Sequence, residues 1–165
     1  MGELEPPDSH HLRAAVGWLE LGLPDEARRE LTLLNPALRR HPDVLSLEWS
    51  MLARQHSWEQ ALVVALKLLH CDRTRATGWI HRSFALHELK RTSEAREALL
   101  PAVSLFPQDG TIPYNLACYA CQLGRLDEAR AWLRQAIKLD GRDTVLEQAR
   151  HDTDLLPMKD ELDRL

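Results

Sequence analysis

The sequence predicts an all-α chain, a solenoid of four helix-turn-helix units closed by a C-terminal capping helical segment. Three observations carry this. An alanine recurs every 34 residues, at Ala27, Ala61, Ala95 and Ala129, twice inside nearly the same helix opening, "LPDEAR" and "RLDEAR". A fixed period of this length marks a repeat array. The segments around each alanine carry apolar residues at helical spacing, as in Ala95, Leu99, Ala102 and Leu105. After the fourth unit the chain ends in one more amphipathic stretch, "LLPMKDELDRL", of the kind that covers the open end of a repeat array.

Residues 1–7 read as a polar lead. The units follow at 8–41, 42–75, 76–109 and 110–143, and 144–165 is the capping segment. In the first unit Pro24 stands at a first helical position, where a missing N–H costs nothing. Asp25 and Glu26 fall in the first turn, where the helix dipole favours negative charge. The pair Asn35-Pro36 ends this helix near Leu34. In the second unit Ser57, with Gln60 three residues later, fits a capping box. In the third, Trp79, Leu86 and Leu89 share a face, Pro101 lies inside the second helix and bends it, and Pro107 stops it. In the fourth, Asp127 and Glu128 open the second helix. Val145, Leu146 and Ala149 then cover its open end. The recurring alanine sits where two helices cross, because axes approach closely only over small side chains.

These letters carry a resemblance. A helix pair with W-x2-small-x2-large, then A-x3-large-x2-A, then Pro is similar to the tetratricopeptide repeat. The third unit supplies Trp79, Ser83, Leu86, Ala95, Leu99, Ala102 and Pro107. The fourth supplies Leu116, Ala117, Ala120, Gly124, Ala129, Leu133 and Ala136. The first supplies Ala15, Trp18, Gly22, Ala27, Leu31 and Leu34. The second is least regular, with Trp49 in a slot that is normally small. The resemblance implies a right-handed superhelical solenoid of tetratricopeptide-like repeats that binds a protein or peptide in a concave groove lined by the first helix of each unit.

Carried over position by position, the resemblance implies a groove holding Arg13, Leu47, Arg54, Ile80, His81, Phe84, Tyr114 and Asn115. One subfamily grips the terminal carboxylate of heat-shock chaperones. Its clamp positions fall here on Leu12, Val16, Leu47, Thr77 and His81, or one unit on, on Ser46, Ser50, His81, Thr111 and Asn115. Neither set is a cationic clamp, and that reading is rejected. An apolar groove with polar punctuation suits an amphipathic helix or an extended peptide. It also suits a second copy of the chain, as a homodimer, or the chain's own C-terminal segment.

The formal charge of −4, with acids and bases interleaved, argues against nucleic acid as a partner. No apolar run is long enough for a membrane span, and the polar start has no secretory or myristoylation pattern. Three cysteines do not make a disulfide framework, and the expected location is cytoplasmic.

Neither enzyme motif nor cofactor motif is present. Cys118 and Cys121 form a C-x2-C, but within a helix, where packing is the simpler role. His81 and His87, six apart, do not share a face as metal ligands would. His10 and His11 belong to a polar helix start. No catalytic, cofactor or metal residue is assigned. The leading function is a protein-interaction scaffold. The alternatives are a self-associating structural module and a small tetratricopeptide-type secretion chaperone.

Overall fold

A computed structural model describes residues 4–164. The first three residues of the predicted lead and the last residue of the predicted cap lie outside them. Every regular element among the described residues is helical. The chain forms two compact units that divide between Arg73 and Thr74.

The first unit holds α1 (Asp8–Glu20), α2 (Pro24–Leu33), a short 3-10 turn (Pro36–Arg40), α3 (Pro42–Arg54) and α4 (Trp58–Cys71). Helices α1 and α2 pack as one antiparallel pair, α3 and α4 as another, and α1 packs on α3. The core of α1, α2 and α3 is built from Ala15, Leu19, Ala27, Leu47 and Met51. Ala27 is fully buried at the predicted crossing. Helix α2 stops at Leu33 because Leu34 turns extended before Asn35-Pro36. The Asn35 side chain then accepts from the Ala37 N–H at 3.0 Å and starts the 3-10 turn.

The second unit holds α5 (Ala76–Glu88), α6 (Thr92–Leu99), α7 (Ala102–Leu105), α8 (Thr111–Gln122), α9 (Leu126–Asp140), α10 (Arg142–His151) and a 3-10 strap (Thr153–Arg164). Pairs α5/α6 and α8/α9 pack antiparallel, and α6 packs on α8. Pro101 does more than bend its helix. It has no N–H to donate, and it divides the second helix of the third repeat into α6 and α7. Helix α10 packs on α9, and the strap lies on both α8 and α10. Val145, Leu146 and Ala149 are buried, as are Leu155, Met158 and Leu162 of the strap. The expected last amphipathic helix is thus a 3-10 helix, with Pro157 inside it.

The turn between paired helices is written four times in one register. Gly22, His56, Lys90 and Gly124, each 34 residues apart, all have positive φ, between 52° and 76°. Each donates its N–H three residues back, and the next residue donates five back, to Trp18, Leu52, Leu86 and Ala120 at 2.8–2.9 Å. This is the Schellman stop of an α-helix, whose left-handed residue is normally glycine. The residue after it opens the next helix, and its carbonyl accepts from the ruler alanines Ala27, Ala61, Ala95 and Ala129. This economy undoes the capping box expected at Ser57. Its N–H is already spent on Leu52 and its backbone lies at φ −87°, ψ 61°, away from the extended geometry of a capping residue, so its side chain makes no cap bond.

Two of these turns use a side chain where glycine fits better. A left-handed L-residue costs about 1–2 kcal/mol. Lys90 is exposed, whereas the His56 ring also meets Trp58 edge-on with centroids 5.7 Å apart. Lys90→Gly is therefore expected to stabilise the protein by about 1 kcal/mol, less the added freedom of the unfolded chain. A urea midpoint that falls would mean the Lys90 side chain holds the turn.

Candidate partner-binding surface

The residues expected to line a groove divide between the two units. In the first, Arg13 and Arg54 are exposed. The Arg13 guanidinium bonds the Ser9 carbonyl of its own helix at 3.2 Å. Leu47 is 5% exposed and belongs to the core.

In the second unit, helices α5 and α8 pack together and carry the other five. Ile80, His81 and Phe84 on α5 and Asn115 on α8 are half-buried. Burial pulls the His81 pKa down to about 4, so its ring is neutral near pH 7 and can donate at one nitrogen and accept at the other.

Tyr114 is only 5% exposed, because the end of the chain covers it. Its hydroxyl donates to Asp152 Oδ2 at 2.9 Å. The Cys118 thiol donates to the same oxygen at 3.5 Å. The other oxygen, Oδ1, accepts from the Asp154 N–H at 2.9 Å. One carboxylate thus fastens the turn leaving α10 to the helix below. Burial, then the neighbouring thiol and carboxylate charges, pushes the Tyr114 pKa far up, and burial with Asp152 and Asp154 does the same to Cys118. Both groups stay protonated and keep donating.

A second carboxylate repeats the device. Asp154 Oδ2 meets His87 Nε2 at 2.9 Å. A carboxylate only accepts, so Nε2 carries the proton. His87 Nδ1 pairs with Thr92 Oγ1 at 3.0 Å, and its ring lies 4.9 Å from that of Tyr119. Tyr119 in turn meets Ser83 at 3.1 Å. Gln122 donates to the Asp154 carbonyl at 2.8 Å. Farther along the strap, Glu161 accepts from Arg130 of α9 at 2.6 Å.

Cys118 and Cys121 are both buried in α8. Burial raises the thiol pKa of Cys121 too. The sulfur of Cys118 and carboxylate oxygens of Asp152 and Asp154 lie within 4.8 Å of one another, and these are ligand types a divalent cation accepts. Here the same atoms serve the hydrogen bonds just described. His87, to which the sequence assigns no role, is the partner of Asp154. Asp152 and Asp154 were missed. The readable signal was the string "HDTDLLP", a helix end followed by two acids and an apolar pair.

No helix among the described residues is long and apolar enough to cross a membrane. The profile of the tetratricopeptide repeat matches residues 114–143, which span α8, α9 and the turn between them. A comparison with the curated proteins finds no match. Among solved structures, the chain is similar to MamA residues 41–end from Desulfovibrio magneticus RS-1, with 19% identity and a TM-score of 0.72 over 98% of this chain and 90% of that one. It is also similar to TTC0263, a thermophilic TPR protein of Thermus thermophilus, with 19% identity and a TM-score of 0.70 over 95% of each chain. At this identity the likeness speaks for the fold, an all-α helical repeat, and the signature of the family lies in the matched segment. Residues 114–143 thus carry a tetratricopeptide repeat, and the all-α fold around them is the one seen in tetratricopeptide-repeat structures.

Proposed function

We propose that the chain is a protein-interaction scaffold of four repeats (8–41, 42–75, 76–109 and 110–143) that holds a peptide or helix of a partner protein against the first helices of its repeats. One observation carries this reading. The face made by α5 and α8 already receives an irregular acidic segment, the chain's own, through Tyr114, His87, Cys118 and Gln122. A surface that hydrogen-bonds a carboxylate and a backbone carbonyl this way is chemically suited to a second peptide beside the first. Ile80, His81, Phe84 and Asn115 are the half-buried groups on those two helices that would take it. Leu47 and Tyr114 contribute packing, and Arg13 and Arg54 hold the matching repeat register in the first unit. A binding role in a reducing, cytoplasmic setting accords with three free cysteines.

The test is a photo-crosslinking residue placed at Phe84 and, separately, at Arg134, which lies on α9. Adducts with a partner are expected from position 84 and not from 134. Phe84→Ala should then weaken that partner by about 2 kcal/mol, with the unfolding midpoint measured on the same variant. Adducts from 134 alone would move the site to the opposite helices. Adducts only between copies of the chain would make it a self-associating module.

A further inference from the structure

The first unit contains a trough that the groove just proposed does not use. In the second unit α6 packs on α8; the helices in the same register of the first unit, α2 and α3, meet at the small core around Ala27 but approach less closely. The cause is local. Asn35-Pro36 stops α2 after 10 residues and Leu34 turns extended, whereas the divided helix α6 and α7 keeps helical backbone through Leu100 and Pro101 and runs on to Leu105, and α4 has 14 residues and α9 has 15. More than a turn of helix is absent, and a hollow of about 1090 Å³ opens over α3 and α4.

Its floor is aliphatic. Leu31, Val44, Met51 and Leu52 line it from α2 and α3, and Val63 and Leu66 from α4. Val63 and Leu66 are 52% and 46% exposed. They are not needed for the core, because α4 buries Ala61, Val64, Ala65, Leu68 and Leu69 on its other side. The same register positions elsewhere hold Arg29 and Thr32, Glu97 and Leu100, and Ala131 and Arg134. A helix that is apolar on both faces is one whose second face expects a cover.

The rim is basic. Arg28, Arg39, Arg40, Lys67 and His70 surround the trough, and Glu48 is the one acid lining it among the described residues. This concentration stands out in a chain whose formal charge is −4. Arg28 is tied to Asp25 at 3.0 Å. Arg39, Arg40 and Lys67 are exposed. Lining residues run along α3 from Val44 to Leu52, on to Gln55 at its end, and along α4 from Gln60 to Cys71. Each run rises about 16 Å, some three turns of helix.

We propose that this trough is a docking site for an acidic amphipathic helix of a partner protein. Its apolar stripe would lie on Val63, Leu66, Leu31 and Met51, where α2 falls short. Its flanking carboxylates would meet Arg39 and Arg40 on one side and Lys67 on the other. Apolar contact supplies the area, and the charges select partner and direction.

The experiment uses the full chain and a fluorescent synthetic helix of about four turns with Leu at i, i+3, i+4 and i+7 and Glu at its flanks. Binding is read by anisotropy. The Glu peptide is expected to bind, to weaken with added salt, and to bind at least about tenfold more tightly than the same peptide with Lys for Glu. Leu66→Glu, and separately Arg39→Glu with Arg40→Glu, should each weaken it by about tenfold or more. These side chains are exposed, so circular dichroism and the urea midpoint should hold. Phe84→Ala should change nothing, which separates this site from the other. Equal binding of the two peptides, or binding untouched by Leu66→Glu, would overturn the proposal. So would a wild-type dimer that Leu66→Glu makes monomeric, which would give the trough to a second copy of the chain.

Discussion

Replacing Leu155 and Met158 together with Ala is expected to lower the unfolding free energy by roughly 4–8 kcal/mol, each truncation costing about 2–5 kcal/mol alone. Both side chains are fully buried, and Leu162 beyond them is 1% exposed. The strap depends on this burial more than an α-helix would. Its 3-10 hydrogen bonds are poorer than α-helical ones, runs beyond three or four residues are uncommon, and Pro157 removes a donor from the middle. What favours the conformation is that side chains three apart eclipse. Leu155 and Met158 therefore point the same way, onto α8 and α10. A domain of this size has only about 5–15 kcal/mol to lose, so the double variant is expected to loosen the strap at room temperature. Chemical denaturation of the two singles and the double checks this. Losses under about 1 kcal/mol for both singles would mean that the strap rests on the surface rather than in the core. Because the two sites adjoin, the double need not equal the sum.

The parts of the fold that were legible in the sequence are those fixed by neighbours in sequence. Ala27, Ala61, Ala95 and Ala129 mark helix crossings because any larger side chain would hold the axes apart, and all four are fully buried. Gly22 and Gly124 advertise their left-handed turns. His56 and Lys90 do the same work unannounced, because a helix stop is set by its two backbone hydrogen bonds and tolerates a strained residue. Ser57 shows the converse. Its letters fit a cap, but its N–H was committed to the helix before it.

The site was less legible. Repeat register gives the helix face on which Tyr114 lies but not what covers it. The cover is Asp152, 38 residues away, and it comes within reach only after α9 and α10 have packed. The trough was hidden for a related reason. Asn35-Pro36 could be read as a helix end, but a missing turn becomes a cavity only beside the longer α4.

Asp152→Ala is expected to destabilise the protein by roughly 3 kcal/mol. The substitution removes no buried bulk of consequence. Its cost lies in the partners left behind, since a buried donor without an acceptor costs about 1–3 kcal/mol. The Tyr114 hydroxyl and the Cys118 thiol both point at one oxygen of this carboxylate, and the other oxygen holds the Asp154 N–H that forms the turn. Tyr114→Phe should cost less, because it takes donor and need away together. The double variant, Asp152→Ala with Tyr114→Phe, should therefore be more stable than the two losses predict, with a coupling of about 1.5–3 kcal/mol for a bond to a charged acceptor. The pH dependence has a definite sign. Burial and the nearby negative charges raise the Tyr114 and Cys118 pKa values in the folded state. A raised pKa means that the folded chain keeps protons the unfolded chain has released. The stability these groups lend is thus fully present below about pH 8.5, the unfolded thiol value, and is lost as pH rises through about 10, the phenol value, and beyond. Tyr119 is shifted the same way, so Tyr114→Phe should flatten this alkaline decline without abolishing it. Urea midpoints for the four proteins between about pH 7 and pH 11 provide the measurement. Additive losses for Asp152→Ala and Tyr114→Phe, with an unchanged alkaline slope, would mean that Asp152 serves its own turn alone and that the strap is not fastened to α8 through Tyr114.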